Sequence, residues 1–507
     1  TLWHTLSLHD ALPILALTER GQTGMLVHYL RYLGGNVMTV AAGFVSFPFM
    51  ARLLDNHQFG VLGYYEAWLV LMTGVLKLGT QHTILRFYPH AGERDALNCF
   101  RTNHLLIPFG LSMLLWLVCA TVIGTLIERI PANEQPIIGV LILTAPLVIW
   151  CSFVEAVIYA LERSDISVWI KTLWRWSEVA LVLVTIGFIE RSALGVFSAR
   201  LLVVALFAAW LAWWFTRWYS GRPTRPSRAP ILAGLSFGLP MMLTELTSVL
   251  FGFADRILLR SLTGDFADVG IYTIGFGLAM AVTAVLGQTL TEAFTPTAIR
   301  LYGTHGSEAV VSLKRDMLDV WVAAIAVATG LLLCVGQEFL IILAGPDKAA
   351  SAPVFVAISM TLAWYSLFSI AQYGLLLQRR ALRFFLITLA ATLFNIALNV
   401  PLIKYWGVSG AVAATATSYV FLAVCQFWQC PAELRYLPHW RRLFGAALFA
   451  PVVYALLLAS DYFGAQTAPA RLIVGSIAIA VPALTWASMD SGLRTGIRRI
   501  IAARTGS

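Results

Sequence analysis

The chain has 507 residues, of which 59% are hydrophobic and only 12% are charged, and its mean hydropathy is +0.77. So few polar side chains cannot cover the surface of a water-soluble globule of this size. The composition therefore excludes a soluble protein and indicates an integral membrane protein. The formal net charge of +9 is explained by loops that face anionic lipid headgroups, and we expect no nucleic-acid partner.

Residues 1–24 differ from the rest of the chain. Their string SLHDALPI looks like translated sequencing-adapter read-through, and no Met precedes Met25. A secretory signal is the alternative, but Asp10 and Pro13 interrupt the short apolar run and no basic segment precedes it. We therefore expect a non-native segment here and a native start at Met25.

From residue 28 onward, the apolar runs have the length of membrane-spanning helices. Such a helix needs roughly 20 residues, whereas a strand of a membrane barrel needs about 10. The runs predict fourteen helical spans, at residues 28–51, 59–79, 103–127, 137–161, 167–189, 194–216, 231–258, 268–292, 317–344, 353–377, 382–404, 408–430, 441–460 and 469–488. Charged side chains interrupt two of them, Lys171 and Arg175 in the fifth and Arg200 in the sixth.

Arginine is unevenly distributed over the loops between these spans. The even-numbered loops are rich in arginine, as the sixth shows with Arg217, Arg222, Arg225 and Arg228, and the odd-numbered loops are poor in it. Loops with an excess of positive charge stay in the cytoplasm. We therefore expect the even-numbered loops and both termini on the cytoplasmic side.

Three hairpins recur at an offset of about 210 residues, which predicts an internal repeat. Each pair shares a glycine at its turn, and the aligned glycines are Gly60 with Gly270, Gly79 with Gly287, and Gly195 with Gly407. Because six spans per repeat is an even number, both repeats keep one orientation. The expected fold is all-α, with two six-helix lobes related by a pseudo-twofold axis along the membrane normal and two extra C-terminal helices.

The predicted spans and the repeat divide the chain into four parts. Residues 1–24 are the non-native segment, residues 25–229 the N-lobe with its cytoplasmic linker, and residues 230–435 the C-lobe. Residues 436–507 hold the last two spans and a basic cytoplasmic tail.

Four stretches of the chain carry a family resemblance. They are GGNVMTVAAGFVSFPFMARLLDNHQFGVLGYYEAW, LGTQHTILRFYP, FGLPMMLTELTSVLFGFADRILL and FNIALNVPLIKYWGVSGAVAATATSY. Together and in this order they resemble the polysaccharide transporter family, the Wzx-type flippases of the MOP exporter superfamily, over roughly Met25 to Pro431. The last two spans match no recognisable pattern, although fourteen spans also occur in this family.

The resemblance implies transport of oligosaccharide repeat units linked to undecaprenyl diphosphate. Such a protein works by alternating access in the bacterial inner membrane, for O-antigen, capsule or exopolysaccharide assembly. The implied partners are the lipid-linked oligosaccharide, membrane lipids, a polysaccharide polymerase and a chain-length regulator.

A lipid diphosphate headgroup needs a polar and cationic path through about 30 Å of hydrocarbon. A charged side chain inside a span costs on the order of 2.5–3.5 kcal/mol on insertion scales, so it should face a cavity or a partner. The candidate cations of a substrate-binding lumen are Arg52, Arg86, Lys171, Arg175, Arg200 and Arg256. The candidate coupling or counter-charge acids are Glu66, Glu155, Glu178, Glu245, Asp255 and Glu292.

Each group of candidates also has a structural interpretation. Lys171, Arg175 and Glu178 share one helix face, which predicts either a cationic stripe or a self-neutralising surface. Arg52 and Arg86 lie near span ends, from which a long side chain reaches the headgroups.

Asp255 and Arg256 point about 100° apart on a helix, so at least one should reach another helix. Asn395 and Asn399 lie four residues apart and serve either a polar lumen or hydrogen bonding between helices.

The alternatives to the flippase are another kind of transporter and a membrane enzyme. A cation-coupled multidrug or small-molecule antiporter, or a lipid II flippase, would share the two lobes. An enzyme such as a polysaccharide polymerase would need a long outward loop, and every odd-numbered loop is short. The sequence holds no Walker A loop and no CxxC pair, so we expect no catalytic residue, no metal and no cofactor.

Overall fold

The computed structural model of the chain describes residues 38–89, 94–219, 221–284, 289–378, 380–438 and 443. All regular structure in these residues is helical. Ten of the described helices are long and apolar enough to cross a membrane, and the chain is a multi-pass membrane protein. The predicted segment 1–24, the last two predicted spans and the basic tail lie outside the described residues.

Within the described residues, nine α-helices precede Gly264. They are α1 Met38–Leu53, α2 Asn56–Leu76, α3 Thr80–Phe87, α4 Arg94–Phe100, α5 Ile107–Leu126, α6 Gln135–Ala160, α7 Ser164–Val184, α8 Ala193–Trp218 and α9 Arg228–Thr263. A π-helical turn, Arg101–Leu106, joins α4 to α5, and another, Thr185–Ile189, extends α7. Side-chain caps start α2 and α8, because Asp55 accepts from the Gln58 amide at 2.7 Å and Ser192 from the Gly195 amide at 3.1 Å.

Four more α-helices follow in the described part of the chain. They are α10 Phe266–Thr283, α11 Thr289–Ala344, α12 Ala352–Ala371 and α13 Ala381–Gln429. Within α13, Gly407 has φ 54° and ψ −129°, a left-handed conformation that breaks the helix at the predicted turn glycine. The two halves of α13 are therefore the eleventh and twelfth predicted spans.

The tenth predicted span, 353–377, ends earlier than expected, at Ala371. The Lys314 ammonium on α11 donates to the carbonyl oxygen of Ala371 at 2.9 Å, and so it occupies a carbonyl that the end of a helix leaves without an intrahelical donor. A cap supplied from a distant helix leaves no local signal in the sequence.

The described chain divides into two compact units between Gly270 and Ile271. We call them the N-terminal unit and the C-terminal unit. This packing boundary lies one helix beyond the lobe boundary predicted at residues 229 and 230, because α9 packs with the N-terminal unit. Thr83 on α3 donates to the carbonyl of Gly234 on α9 at 3.2 Å, and a Cβ on Gly79 would lie 1.9 Å from the carbonyl oxygen of Gly238.

Two glycines that the repeat aligns touch each other's helices. A Cβ on Gly60 would lie 1.7 Å from the carbonyl oxygen of Phe266, and a Cβ on Gly270 would lie 1.8 Å from that of Asn56. Only glycine permits so close an approach of two backbones. The contact is reciprocal at the predicted offset, which is the pattern that a local twofold axis produces.

Candidate functional site

Four charged side chains on three helices form a connected network in the N-terminal unit. The Arg200 Nε on α8 lies 2.9 Å from a carboxylate oxygen of Glu178 on α7, and its Nη1 lies 3.4 Å from Glu66 on α2. The Arg175 Nη1, also on α7, lies 3.2 Å from the second oxygen of Glu178. We call Glu66, Arg175, Glu178 and Arg200 the arginine network.

The helices run uninterrupted through these charges. Arg175 and Glu178 are three residues apart and share one side of α7, which lets both meet Arg200 from α8. In the sequence, Arg175 and Arg200 interrupt the apolar runs of the fifth and sixth predicted spans. In the structure, each has a carboxylate partner that offsets the free-energy cost of placing a charge inside a span.

The arginine network is half-buried and balanced in charge. The exposed fractions of its side chains are 15% for Glu178, 24% for Arg200, 35% for Arg175 and 39% for Glu66. Two guanidinium groups meet two carboxylates, so the network has no formal net charge while all four are ionised. Glu66 and Arg175 are the more exposed of the four side chains.

A second cluster surrounds Glu245 in the middle of α9. Its carboxylate lies 3.6 Å from the Lys77 ammonium and 3.5 Å from the Nε2 of His82, and it accepts a hydrogen bond from the Gln81 side-chain amide. We call Lys77, Gln81, His82 and Glu245 the Glu245 cluster. It joins the end of α2 and the start of α3 to α9, so an intramembrane carboxylate gains two basic partners.

Glu155 on α6 is a further acid of the N-terminal unit. The cations that act on its carboxylate are Lys171 and Lys77. Lys171 is exposed, and its ammonium lies 5.0 Å from the centre of the Tyr159 ring. In these contacts the cations are Lys77, Lys171, Arg175 and Arg200, and the acids are Glu66, Glu155, Glu178 and Glu245. Of the two interpretations of Lys171, Arg175 and Glu178, the Arg175–Glu178 pair has the geometry of the self-neutralising surface.

Three other predicted cations have described surroundings that do not include the arginine network. Arg52 is exposed at the end of α1. Arg86 is exposed, and its guanidinium lies 4.4 Å from the centre of the Phe237 ring. Arg256 is buried and donates to the carbonyl of Gly252 in its own helix at 2.8 Å.

The remaining predicted acids and amides are placed as follows. Asp255, next to Arg256 in sequence, is fully buried. The side chain of Glu292 is outside those described. Asn395 and Asn399 are fully buried between the two halves of α13, where Asn395 donates to the Ser418 hydroxyl at 3.3 Å and Asn399 to the Asn395 carbonyl at 3.0 Å. These bonds have the geometry of the helix-packing alternative.

Lys77, Gln81 and His82 are absent from the residues predicted as a site. Lys77 carries a readable signal, because it is a cation near the end of the predicted second span. Gln81 and His82 follow it outside that span, and only the packing of α3 on α9 brings them to Glu245.

Within the described residues, no group of three or more His, Cys, Asp or Glu side chains has the arrangement of a metal site. The six cysteines all lie in the described part of the chain, and each is a free thiol.

Comparison with known sequences gives a family match over more than half of the chain. A family profile described as "Polysaccharide biosynthesis protein" matches residues 29–301. Protein 1 of the Lsg locus of Haemophilus influenzae is 24% identical over 279 residues, which are 52% of this chain. The match covers 63% of that relative's length.

Comparison with solved structures identifies the fold. The lipid II flippase MurJ, in an inward closed conformation, matches with a TM-score of 0.67 at 10% identity, over 91% of this chain and 99% of that one. A multidrug resistance MATE family transporter of the MOP superfamily, inward-facing, matches with a TM-score of 0.58 at 15% identity, over 79% of this chain and 96% of that one. The expected fold class is confirmed.

Proposed function

Because the chain belongs to the polysaccharide biosynthesis protein family, we propose that it is a flippase of lipid-linked oligosaccharides. Its substrate is a repeat unit linked to undecaprenyl diphosphate, which it moves across the bacterial inner membrane by alternating access. The product serves O-antigen, capsule or exopolysaccharide assembly. The role is transport, not enzymatic catalysis.

The arginine network supports this proposal most directly. A flippase has to accommodate a hydrated diphosphate in the middle of the membrane while the lipid tail remains in the bilayer. Guanidinium groups bind diphosphate oxygens through two parallel hydrogen bonds, and they keep their charge at any physiological pH. Arg175 and Arg200 supply two such groups within spanning helices, and both are partly exposed.

The orientation expected from the loop arginines is consistent with export. With both termini in the cytoplasm, the substrate would enter from the negative side of the membrane. Moving an anion outward is then favourable by roughly 2.3 kcal/mol per charge for each 100 mV. The membrane potential alone could therefore drive the lipid diphosphate outward.

The Glu245 cluster favours a second candidate function. It places a carboxylate and a histidine side chain 3.5 Å apart at a spanning helix, and a cation-coupled antiporter of small molecules requires an acidic group within its spans. A lipid II flippase is the third candidate, supported by the fold that this chain shares with MurJ. The three differ in substrate, so measurements of substrate transport separate them.

The polymerase and the chain-length regulator that act on the exported repeat unit are the partners we propose. Their order follows from the chemistry, because the polymerase uses the repeat unit after the flippase has delivered it to the outer leaflet.

A deletion strain of the source organism tests the function. We expect lipid-linked repeat units to accumulate on the inner leaflet and to clear when the wild-type chain is restored. A chain with Arg200→Gln should restore little export, whereas Glu128→Gln, an exposed acid in a turn, should restore it fully. Normal surface glycan in the deletion strain would exclude the flippase.

A further inference from the structure

We propose that the segment of residues 221–228, which joins α8 to α9, presents Arg222, Arg225 and Arg228 as a binding surface for anionic phospholipids of the cytoplasmic leaflet. We call these three side chains the linker arginines. The surface serves the lipids that surround the chain and not the lipid that it transports, so it goes beyond the proposed function. A basic loop attracts an anionic membrane whatever its conformation. This surface differs in that the chain orders its backbone.

Buried side chains of the π-helical turn hold the backbone of this segment. The Thr102 hydroxyl accepts from the Thr224 amide at 2.7 Å, and the Asn103 side chain accepts from the Ser227 amide at 2.8 Å. Thr102 and Asn103 are only 4% and 1% exposed, so packing fixes the position of both acceptors. Two such hydrogen bonds set the path of the segment along the helix.

The start of the segment is held by the same helix. The Asn98 side chain on α4 accepts from the Arg222 amide. The Arg101 guanidinium donates to the Gly221 carbonyl and lies 5.3 Å from the centre of the Phe215 ring. The linker arginines therefore extend from a backbone that is bound at its start and near its end.

The sequence of the segment repeats with a period of three. Arg222 and Arg225 each precede a proline, Pro223 and Pro226. Proline fixes its own φ and restricts the residue before it to extended conformations, which favours a polyproline II helix. This helix has three residues per turn and rises about 3.1 Å per residue, so it places Arg222 and Arg225 on one edge, about 9 Å apart. Arg228 continues the spacing at the first residue of α9.

The positive charge of the linker arginines is not balanced within the described residues. All three side chains are exposed, and none forms an ion pair in the described part of the chain. The sequence has no Asp or Glu between Glu190 and Glu245. Arg228 also begins a helix, where the helix dipole disfavours a cation. Helix stability therefore does not explain this arginine, whereas an anion from outside the chain does.

The position of the segment favours a membrane surface over a protein partner. Spanning helix α8 ends at Trp218 and spanning helix α9 begins at Arg228, so the segment between them lies close to the lipid headgroups. The Trp213 side chain near the end of α8 is 51% exposed, and the Arg217 guanidinium lies 5.6 Å from its ring centre. Exposed tryptophan is typical of the headgroup region. Guanidinium groups bind phosphate oxygens through parallel hydrogen bonds, so the phosphates of anionic lipids fit the linker arginines.

Native mass spectrometry of the purified full chain in detergent tests the proposal. The chain is titrated with phosphatidylglycerol, which is anionic, or with phosphatidylcholine, which has no net charge. The first variant lacks all three linker arginines: Arg222→Gln, Arg225→Gln and Arg228→Gln. The matched control lacks three exposed arginines elsewhere in the chain: Arg129→Gln, Arg191→Gln and Arg300→Gln. A third variant, Pro223→Gly with Pro226→Gly, keeps every charge and removes the stiffness of the segment.

We expect the wild-type chain and the control to bind phosphatidylglycerol at least about tenfold more tightly than phosphatidylcholine. The first variant should lose about tenfold in affinity for phosphatidylglycerol and keep its affinity for phosphatidylcholine, and it should fold because all three side chains are exposed. The proline variant should lose about threefold, because a flexible segment has to be ordered on binding. Added salt should weaken the binding of phosphatidylglycerol to the wild type.

Equal affinity of the wild type and the first variant for phosphatidylglycerol would overturn the proposal and leave an acidic protein as the partner that the linker arginines fit. Equal losses in the first variant and the control would also overturn it, because overall charge would then account for the binding. A proline variant as tight as the wild type would contradict the ordered surface. Displacement of the lipid by inorganic phosphate at equal concentration would assign the arginines to a soluble anion instead of a membrane.

Discussion

The two units of the chain hold their polar side chains in different ways. In the N-terminal unit, charged groups on different helices meet as half-buried ion pairs, as Arg200 does with Glu66 and Glu178. In the C-terminal unit, Lys314 is fully buried and donates to the carbonyls of Ala371 and Leu434, at 2.9 Å and 2.6 Å.

The difference separates side chains that can exchange partners from those that cannot. A guanidinium group that faces a half-buried carboxylate can pair with another anion in its place. A fully buried donor is the only source of a hydrogen bond for the groups it meets, so its loss destabilises the fold. Half-buried ion pairs such as those of Arg200 should therefore affect transport, and fully buried donors such as Lys314 should affect stability.

The largest loss of stability should come from a change at the close contact between α2 and α10, to which both repeats contribute. Gly60→Val would place side-chain atoms within the backbone of α10, where a Cβ already lies 1.7 Å from the Phe266 carbonyl oxygen. We expect a loss of about 4 kcal/mol or more and little folded protein in the membrane. Gly252→Ala is the control, since a Cβ there has no neighbour within 4 Å. The amount of folded protein recovered from membranes in detergent is measured for both variants.

Replacing Lys314 in the C-terminal unit should destabilise the protein more than replacing Lys77 in the N-terminal unit. Lys314→Met keeps the length of the side chain but leaves two buried carbonyls without a donor, which should destabilise the protein by about 2–4 kcal/mol. Lys77→Met removes a longer and partly exposed contact to Glu245, and should destabilise it by less than about 1 kcal/mol. Thermal unfolding in detergent compares the two, and equal losses would contradict the distinction.

Asn395→Ala should have a smaller effect that is confined to stability. The change removes the hydrogen bond to Ser418 and leaves the Asn399 amide with one acceptor fewer, for a loss of about 1–2 kcal/mol. Export per folded molecule should equal that of the wild type. A tenfold loss of export at normal protein level would instead place Asn395 in the substrate path.

Much of the fold follows from the sequence because the membrane imposes a simple length rule. Apolar runs of about 20 residues predict helices, and the glycine at position 407 predicts the break inside α13. The family expected from four motifs is confirmed by the profile match over residues 29–301.

The pairing of charges could be predicted only within one helix. Arg175 and Glu178 are three residues apart, so their contact follows from helix geometry. Glu66 and Arg200, or Lys77 and Glu245, are brought together by packing between helices that lie far apart in sequence. The sequence therefore suggested a cationic lumen, whereas the structure places a carboxylate beside two of the predicted cations, Arg175 and Arg200.

Flipping in proteoliposomes tests the central claim most directly. Purified chain is reconstituted with a fluorescent undecaprenyl-diphosphate oligosaccharide, and a membrane-impermeant quencher reports the leaflet that holds it. We expect rapid exchange between leaflets for the wild type and for Glu128→Gln, and at least a tenfold slower exchange for Arg200→Gln at equal protein content. A wild-type chain that leaves the lipid in its original leaflet, or an Arg200→Gln chain as fast as the wild type, would contradict the account.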